Sequence, residues 1–302
     1  MNQALKKGST IGIAASSGIF DKKLFNKGLQ ALHKLGFKTW YREDIFSEYR
    51  YFAGSEERRI AELHQLFSLQ NVDAIMFARG GYGCQRIIPK LDKKILHHNP
   101  KPVIGFSDLT ALLSFVQQNF SMPTFYGPLL THLANSPDNF SAQQLQRAIC
   151  TPEPLGEMPL DNSKVLKAGS ACGKLVGGCL SILNSSLGTI YESNLENCIL
   201  FIEDVAEDVY AIDRMLTQLK HAKKLATVRG VIFGKTTPSD ADKYSLHKML
   251  EDIFADFEIP ILVDYPCGHS HPFVTLPLGQ TATIELNKHE ASSFIITSGS
   301  FS

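Results

Sequence analysis

Ser107 stands where an apolar run breaks. Val103-Ile104-Gly105-Phe106 reads as a buried strand and Leu109 onward as a helix, which puts the serine on a sharp strand-to-helix turn. Such a turn exposes a hydroxyl and aims the next backbone N–H, that of Asp108, at an oxygen gaining charge. The positive end of a helix dipole lies behind it. The run departs from G-x-S-x-G, because Leu109 stands where the second glycine would be. Ser107 or Asp108 could equally be a plain helix N-cap. The local residues leave both readings open.

Arg79-Gly80-Gly81-Tyr82-Gly83 follows another apolar run, Val72–Ala78. Glycines there permit close backbone approach, and their N–H groups could cradle an anion or supply an oxyanion donor. A tight loop that needs glycine only for its shape is the alternative. The segment is neither G-x-G-x-x-G nor a P-loop. Glu203 ends the apolar run Ile199–Ile202, where a carboxylate could orient a histidine. It could also join Asp204, Glu207 and Asp208 in complementing a helix dipole, or in a metal site that lacks any EF-hand spacing. His269 and His271 lie between Pro266 and Pro272. A histidine held in a stiff loop suits general-base work. The H-x-H spacing also suits zinc, with no third ligand marked, and either residue could be a surface histidine. Together these segments offer a serine, a carboxylate and a histidine, each at a strand end, which is the set a hydrolase triad needs.

The elements that must position these residues are legible from periodicity. Strands are expected at Thr10–Ala15, Phe37–Tyr41, Val72–Ala78 and Pro102–Phe106, with helices after the first, second and fourth. Gly36 closes the first helix, and Ser55-Glu56-Glu57-Arg58 opens the second. Alternation at this spacing predicts a parallel sheet covered on both faces, with ligands beyond the carboxyl ends of its strands. Residues 151–168 carry Pro152, Pro154, Gly156 and Pro159 and read as a linker. The second half resumes with strands at Gly173–Val176, Cys198–Ile202, Val228–Phe233, Ile259–Val263, Thr281–Leu286 and Ser293–Ile296, and helices at Val209–Leu219 and Tyr244–Phe254. The expected division is an α/β domain over 1–150, a linker over 151–168 and an α/β domain over 169–302.

Composition limits the function. The chain has 302 residues, enough for two domains, with 30 basic and 30 acidic side chains. A formal charge of zero gives no global pull toward nucleic acid or an anionic membrane. Six scattered cysteines without a C-x-x-C pair read as reduced thiols. No segment is apolar for long enough to span a bilayer, and the start lacks a signal-peptide core, so a cytoplasmic protein is expected.

Several segments, in order and at spacing, resemble the LD-carboxypeptidases, or murein tetrapeptide carboxypeptidases, of which the microcin C self-immunity peptidases are a branch. They are Ala78–Gly83, Ile104–Leu112, Phe125-Tyr126-Gly127-Pro128, Gly177-Gly178-Cys179-Leu180, Phe201–Asp204, Gly268-His269 and Leu276-Pro277-Leu278-Gly279. The resemblance covers nearly the whole chain. It implies an α/β fold, with an N-terminal parallel-sheet domain resembling class I glutamine amidotransferases and a C-terminal β-rich α/β domain, usually as a homodimer. It implies a Ser-Glu-His triad of Ser107, Glu203 and His269, with His271 as second choice for the base. The implied oxyanion donors are the backbone N–H groups of Asp108 and Gly81. No metal and no organic cofactor are implied. The implied substrate is a murein tetrapeptide that loses its terminal D-Ala. Its carboxylate would be held by Arg79, through charge, or by the turn at Ser16, Ser17 and Gly18, through N–H groups. The alternatives are an amidase of peptidyl or aminoacyl nucleotides, which tends to need an aromatic platform, a ligand-binding module without catalysis, and a metal hydrolase using Glu203, Asp204, His269 and His271. The single tryptophan, Trp40, lies far from any expected strand-end loop.

Overall fold

The computed structural model describes residues 3–236 and 245–301. Each half of the chain is built around its own sheet. The first sheet runs in the spatial order Leu276–Leu278, Thr124–Tyr126, Val103–Gly105, Ala74–Phe77, Thr10–Ala14, Lys38–Trp40. Its five N-terminal strands are parallel, and the central three, Val103–Gly105, Ala74–Phe77 and Thr10–Ala14, have the apolar, buried character that predicts this. The second sheet is mixed. Gly169–Cys179, Cys198–Glu203, Gly230–Gly234 and Ile261–Tyr265 run parallel, and antiparallel strands flank them on both sides. The chain is therefore a two-domain α/β protein.

The helices obey their sequence signals. Asp21 caps Lys22–Lys34 by accepting from the Leu24 N–H at 2.9 Å, and Gly36 follows in the left-handed region at φ 90°. Ser55 caps Glu56–Ser68 by accepting from Arg58 N–H. The helix expected over Tyr244–Phe254 is found at Leu246–Ile253, and Tyr244 lies outside the described residues.

The stretch expected as a linker behaves otherwise. Gly156–Glu157 pairs with Ser293–Ile296, and Lys164–Lys167 pairs with Ile261–Tyr265, both within the second sheet. Short strands on sheet edges tolerate proline and glycine neighbours, so composition alone did not mark them. The strand Gly173–Val176 is longer than expected and runs on through Gly177-Gly178 to Cys179. Leu276–Leu278, late in the chain, crosses to the first sheet and pairs antiparallel with Thr124–Tyr126.

One apolar cluster joins the halves. It includes Phe106, Phe115 and Tyr126 from the first half and Leu175, Phe201, Ile232 and Phe273 from the second, all nearly inaccessible to solvent. Burial of a large aromatic contributes a few kcal/mol on the order of 25 cal/mol per Å². The two halves are thus held by a shared core. The strand ends bearing Ser107 and Glu203 face one another across it.

Candidate active site

Val103–Gly105 ends one residue before Phe106, and Ser107 opens a short 3-10 turn that becomes the helix Thr110–Asn119. Ser107 has φ 64°, an unusual conformation for a residue other than glycine. This is the strained strand-to-helix geometry that exposes a nucleophile. Gly80 makes room for it: a Cβ on Gly80 would lie 3.0 Å from Ser107 Oγ and from its Cβ.

The second sheet brings the other two residues. Glu203 is the last residue of Cys198–Glu203 and is fully buried. His269 follows Gly268, whose φ is 132°, and a Cβ there would sit 2.5 Å from Glu203 Oε2. Glycine is therefore needed for the histidine loop to reach the carboxylate. His269 Nδ1 lies 2.8 Å from Glu203 Oε2, and His269 Nε2 lies 2.9 Å from Ser107 Oγ. The three expected residues thus meet in one hydrogen-bonded line, across the two halves.

Glu203 is fully partnered despite its burial. Oε2 also accepts the His269 backbone N–H at 3.1 Å, and Oε1 accepts the Tyr126 hydroxyl at 2.5 Å. Tyr126 in turn accepts the Ser107 N–H at 3.3 Å. Its burial, and secondly the charge of Glu203, hold its phenol well above the usual range, so it stays a donor. Burial works against a charged His269. The hydrogen bond and charge of Glu203, aided by Asp204, outweigh that and raise its pKa above the ordinary histidine value. A second tie runs through Thr110, whose hydroxyl donates to the Ser107 carbonyl at 2.7 Å and accepts the Cys179 N–H at 3.1 Å.

Ser107 and His269 open onto a cavity of about 480 Å³. Arg79, Gly80, Gly81, Phe106 and His132 line it from the first half, and Cys179, Asp204 and Glu207 from the second. Asp108 and Gly81, the residues expected to supply the oxyanion N–H groups, both line the cavity. Arg79 lines it too and donates to the Ile19 carbonyl. Burial raises the carboxyls of Asp204 and Glu207.

Two expectations are corrected. Ser16 and Ser17 are completely buried, and neither lines the cavity. The Ser17 hydroxyl donates to Asp108 Oδ2 at 2.6 Å, and the Ser16 carbonyl accepts from Arg59 at 2.7 Å. That turn supports the site from behind. His271, the second choice for the base, stacks on His132 with ring centroids 4.1 Å apart, and it is His269 whose ring reaches the Ser107 hydroxyl. No group of three or more His, Cys, Asp or Glu side chains among the described residues is placed to hold a metal ion. No helix there is long and apolar enough to cross a membrane. All six cysteines are free, and Cys172 is exposed.

Residue types alone did not reveal Tyr126 or Thr110. Tyr126 lies in the Phe125-Tyr126-Gly127-Pro128 segment, and a tyrosine beside a glycine at a strand end was the available signal. Nothing in its spacing distinguishes His132 among the ten histidines.

Comparison with known proteins identifies the family. Residues 11–127 match the family model of the LD-carboxypeptidase N-terminal domain, and residues 172–284 match that of the LD-carboxypeptidase C-terminal domain. The chain is 34% identical to the probable murein peptide carboxypeptidase of Bacillus subtilis (strain 168) over 288 residues, covering 93% of this chain and 90% of that one. It is 31% identical to the murein tetrapeptide carboxypeptidase of Pseudomonas aeruginosa, covering 92% of this chain and 94% of that one. The solved structure of MccF in complex with glutamyl sulfamoyl guanosine matches with a TM-score of 0.92 at 25% identity, over 99% of each chain. Both halves match, in order, and a relative at 34% identity spans nearly the whole length: the chain belongs to the LD-carboxypeptidase family.

Proposed function

We propose that this protein is a serine LD-carboxypeptidase that releases terminal D-Ala from murein tetrapeptides. The observation that carries the reading is the line from Ser107 Oγ through His269 to Glu203, at 2.9 and 2.8 Å. His269 Nε2 takes the Ser107 proton as Oγ attacks the amide carbon. Glu203 holds the ring with Nε2 toward the serine and stabilises the imidazolium that forms. The N–H groups of Asp108 and Gly81 meet the tetrahedral oxyanion, each contributing about 3 kcal/mol as in comparable hydrolases. His269 then protonates the leaving amine, and water releases the acyl group by the same steps in reverse.

Arg79 suits the free carboxylate that a carboxypeptidase must hold. Asp204 and Glu207 suit the side-chain amine of a diamino acid in third place. Phe106, His132 and His269, and no tryptophan, are the rings that line the cavity, while Trp40 lines a separate hollow with Tyr41 and Arg42. That favours a peptide over a nucleotide conjugate. As with other members of its family, a homodimer in the cytoplasm is the proposed working form.

The test is direct. Purified protein is incubated with murein tetrapeptide and, separately, with an aminoacyl sulfamoyl nucleoside, and the products are followed by chromatography. Free D-Ala from the first at a much higher kcat/KM supports the reading. Cleavage of the nucleoside conjugate alone overturns the substrate assignment.

A further inference from the structure

Behind the cavity lies a set of buried charged side chains that the mechanism above leaves unused. Asp108 is 1% exposed, and one oxygen of its carboxylate accepts both the Ser17 hydroxyl at 2.6 Å and the Cys84 N–H at 2.9 Å. Arg59 is completely buried, with its guanidinium 4.7 Å from the centre of the Phe52 ring. Its Nη1 donates to the Ser16 carbonyl at 2.7 Å and the Gly83 carbonyl at 2.9 Å.

These bonds join three segments: the turn after the first strand, the glycine turn at 80–83, and the strand-to-helix turn of Ser107. The Gly18 N–H adds a bond to the Gly80 carbonyl at 3.0 Å. Gly81 is therefore flanked by anchors, the Gly18 bond to Gly80 on one side and the bonds of Arg59 to Gly83 and of Asp108 to Cys84 on the other. Taking a carboxylate and a guanidinium out of water costs several kcal/mol each before partners offset it. A rigid apolar filling would stabilise the fold at less cost, so the charges point to a need for geometry. An oxyanion hole has that need, because its donors act only if they are already in place when charge develops.

We propose that the Asp108 side chain is a positioning residue of the oxyanion hole, locking the Gly81 N–H at a fixed separation from the Asp108 N–H, with Arg59 as a second anchor beside it and the Gly18–Gly80 bond as the opposite one. This rests on the reading of Ser107 as the nucleophile. One residue then serves both donors, its own N–H directly and that of Gly81 through Cys84 and Ser17.

The test uses the full chain with Asp108→Ala and Ser17→Ala. The readouts are kcat and KM on murein tetrapeptide, the affinity for a peptide boronic acid that forms a tetrahedral adduct on serine, and the affinity for the product tripeptide. Asp108→Ala is expected to lower kcat on the order of 100-fold and to weaken the boronic acid by a like factor, as losing one oxyanion donor does. KM and tripeptide affinity should stay within about threefold of wild type, since ground-state contacts are untouched. Ser17→Ala removes a single anchoring bond, so it should show the same pattern at about tenfold. It carries the test if Asp108→Ala does not fold. A purely structural role would weaken boronic acid and tripeptide together, and that result would overturn the proposal. So would a kcat within about threefold of wild type in the folded variants. Wild-type labelling of Ser107 by a fluorophosphonate separates the two readings. If it fails along with turnover, the nucleophile reading falls and this inference with it.

Discussion

The Tyr126 hydroxyl sits between the two sheets, 2.5 Å from Glu203 Oε1 and 3.3 Å from the Ser107 backbone nitrogen. One oxygen atom thus ties the carboxylate of Glu203 to the peptide of Ser107, the proposed acid and nucleophile. The line from Ser107 through His269 to Glu203 is assembled from both halves of the chain, and this bond spans the join. Tyr126→Phe leaves a buried carboxylate oxygen without a donor. The expected cost is about 1–3 kcal/mol of stability, read by urea unfolding. A drop in kcat of about tenfold is also expected, because the ring of His269 is held by that carboxylate. Unchanged stability and rate would show that the bond has no role.

The pH dependence follows from His269. Its pKa is raised, and general-base work needs the neutral ring, so kcat/KM should rise with pH through a midpoint above the ordinary 6.5. The same shift makes the His269–Glu203 pair add stability below the unfolded-state value. That stability is lost as pH rises through the folded-state value. Glu203→Gln removes the carboxylate that does most to raise the pKa, and leaves the burial that lowers it and the smaller effect of Asp204. The residual activity should fall on the order of 10⁴-fold, and its midpoint should move down. A midpoint unchanged in that variant would contradict the pairing.

Gly80→Ala tests how tightly the serine is held. The new Cβ would press on Ser107 Oγ and Cβ at 3.0 Å. The serine must then shift by a few tenths of an ångström, and near-attack geometry is sensitive to such a displacement. The expected result is a kcat loss on the order of 10- to 100-fold with little change in the thermal midpoint. Full activity would mean that the turn can yield.

His132 makes the fold acid-sensitive. Burial, then the nearby His271 and His269, push its pKa from 6.5 to about 3. It is neutral when folded, so its contribution to stability is present above 6.5 and is lost as pH falls toward 3. Comparing unfolding of wild type and His132→Phe at pH 7 and pH 5 should show a steeper loss in the wild type. The excess has an upper limit of about 1.4 kcal/mol per pH unit. Parallel losses would assign the acid sensitivity to other groups, His64 and His271 among them.

The parallel core of the first sheet and the strand-end rule were legible in the sequence, because buried parallel strands such as Ala74–Phe77 are apolar without interruption. That rule brought Ser107, Glu203 and His269 onto one short set of candidates. Pattern could not show the strand Leu276–Leu278 returning to the first sheet, since a three-residue run has no periodicity to read. It could not separate Ser17 as a buried support from Ser17 as a ligand contact, because a hydroxyl serves either role. The tie made by Tyr126 depends on a contact between residues 77 positions apart, which local sequence does not encode.

The central claim is that Ser107 is the attacking nucleophile. Intact-mass and peptide mapping after fluorophosphonate treatment test it most directly, in wild type, Ser107→Ala and His269→Ala. One stoichiometric adduct on Ser107 in the wild type, none in Ser107→Ala and a strongly slowed reaction in His269→Ala is the expected result. An adduct formed equally well in Ser107→Ala, or D-Ala release undiminished in that variant, would contradict it.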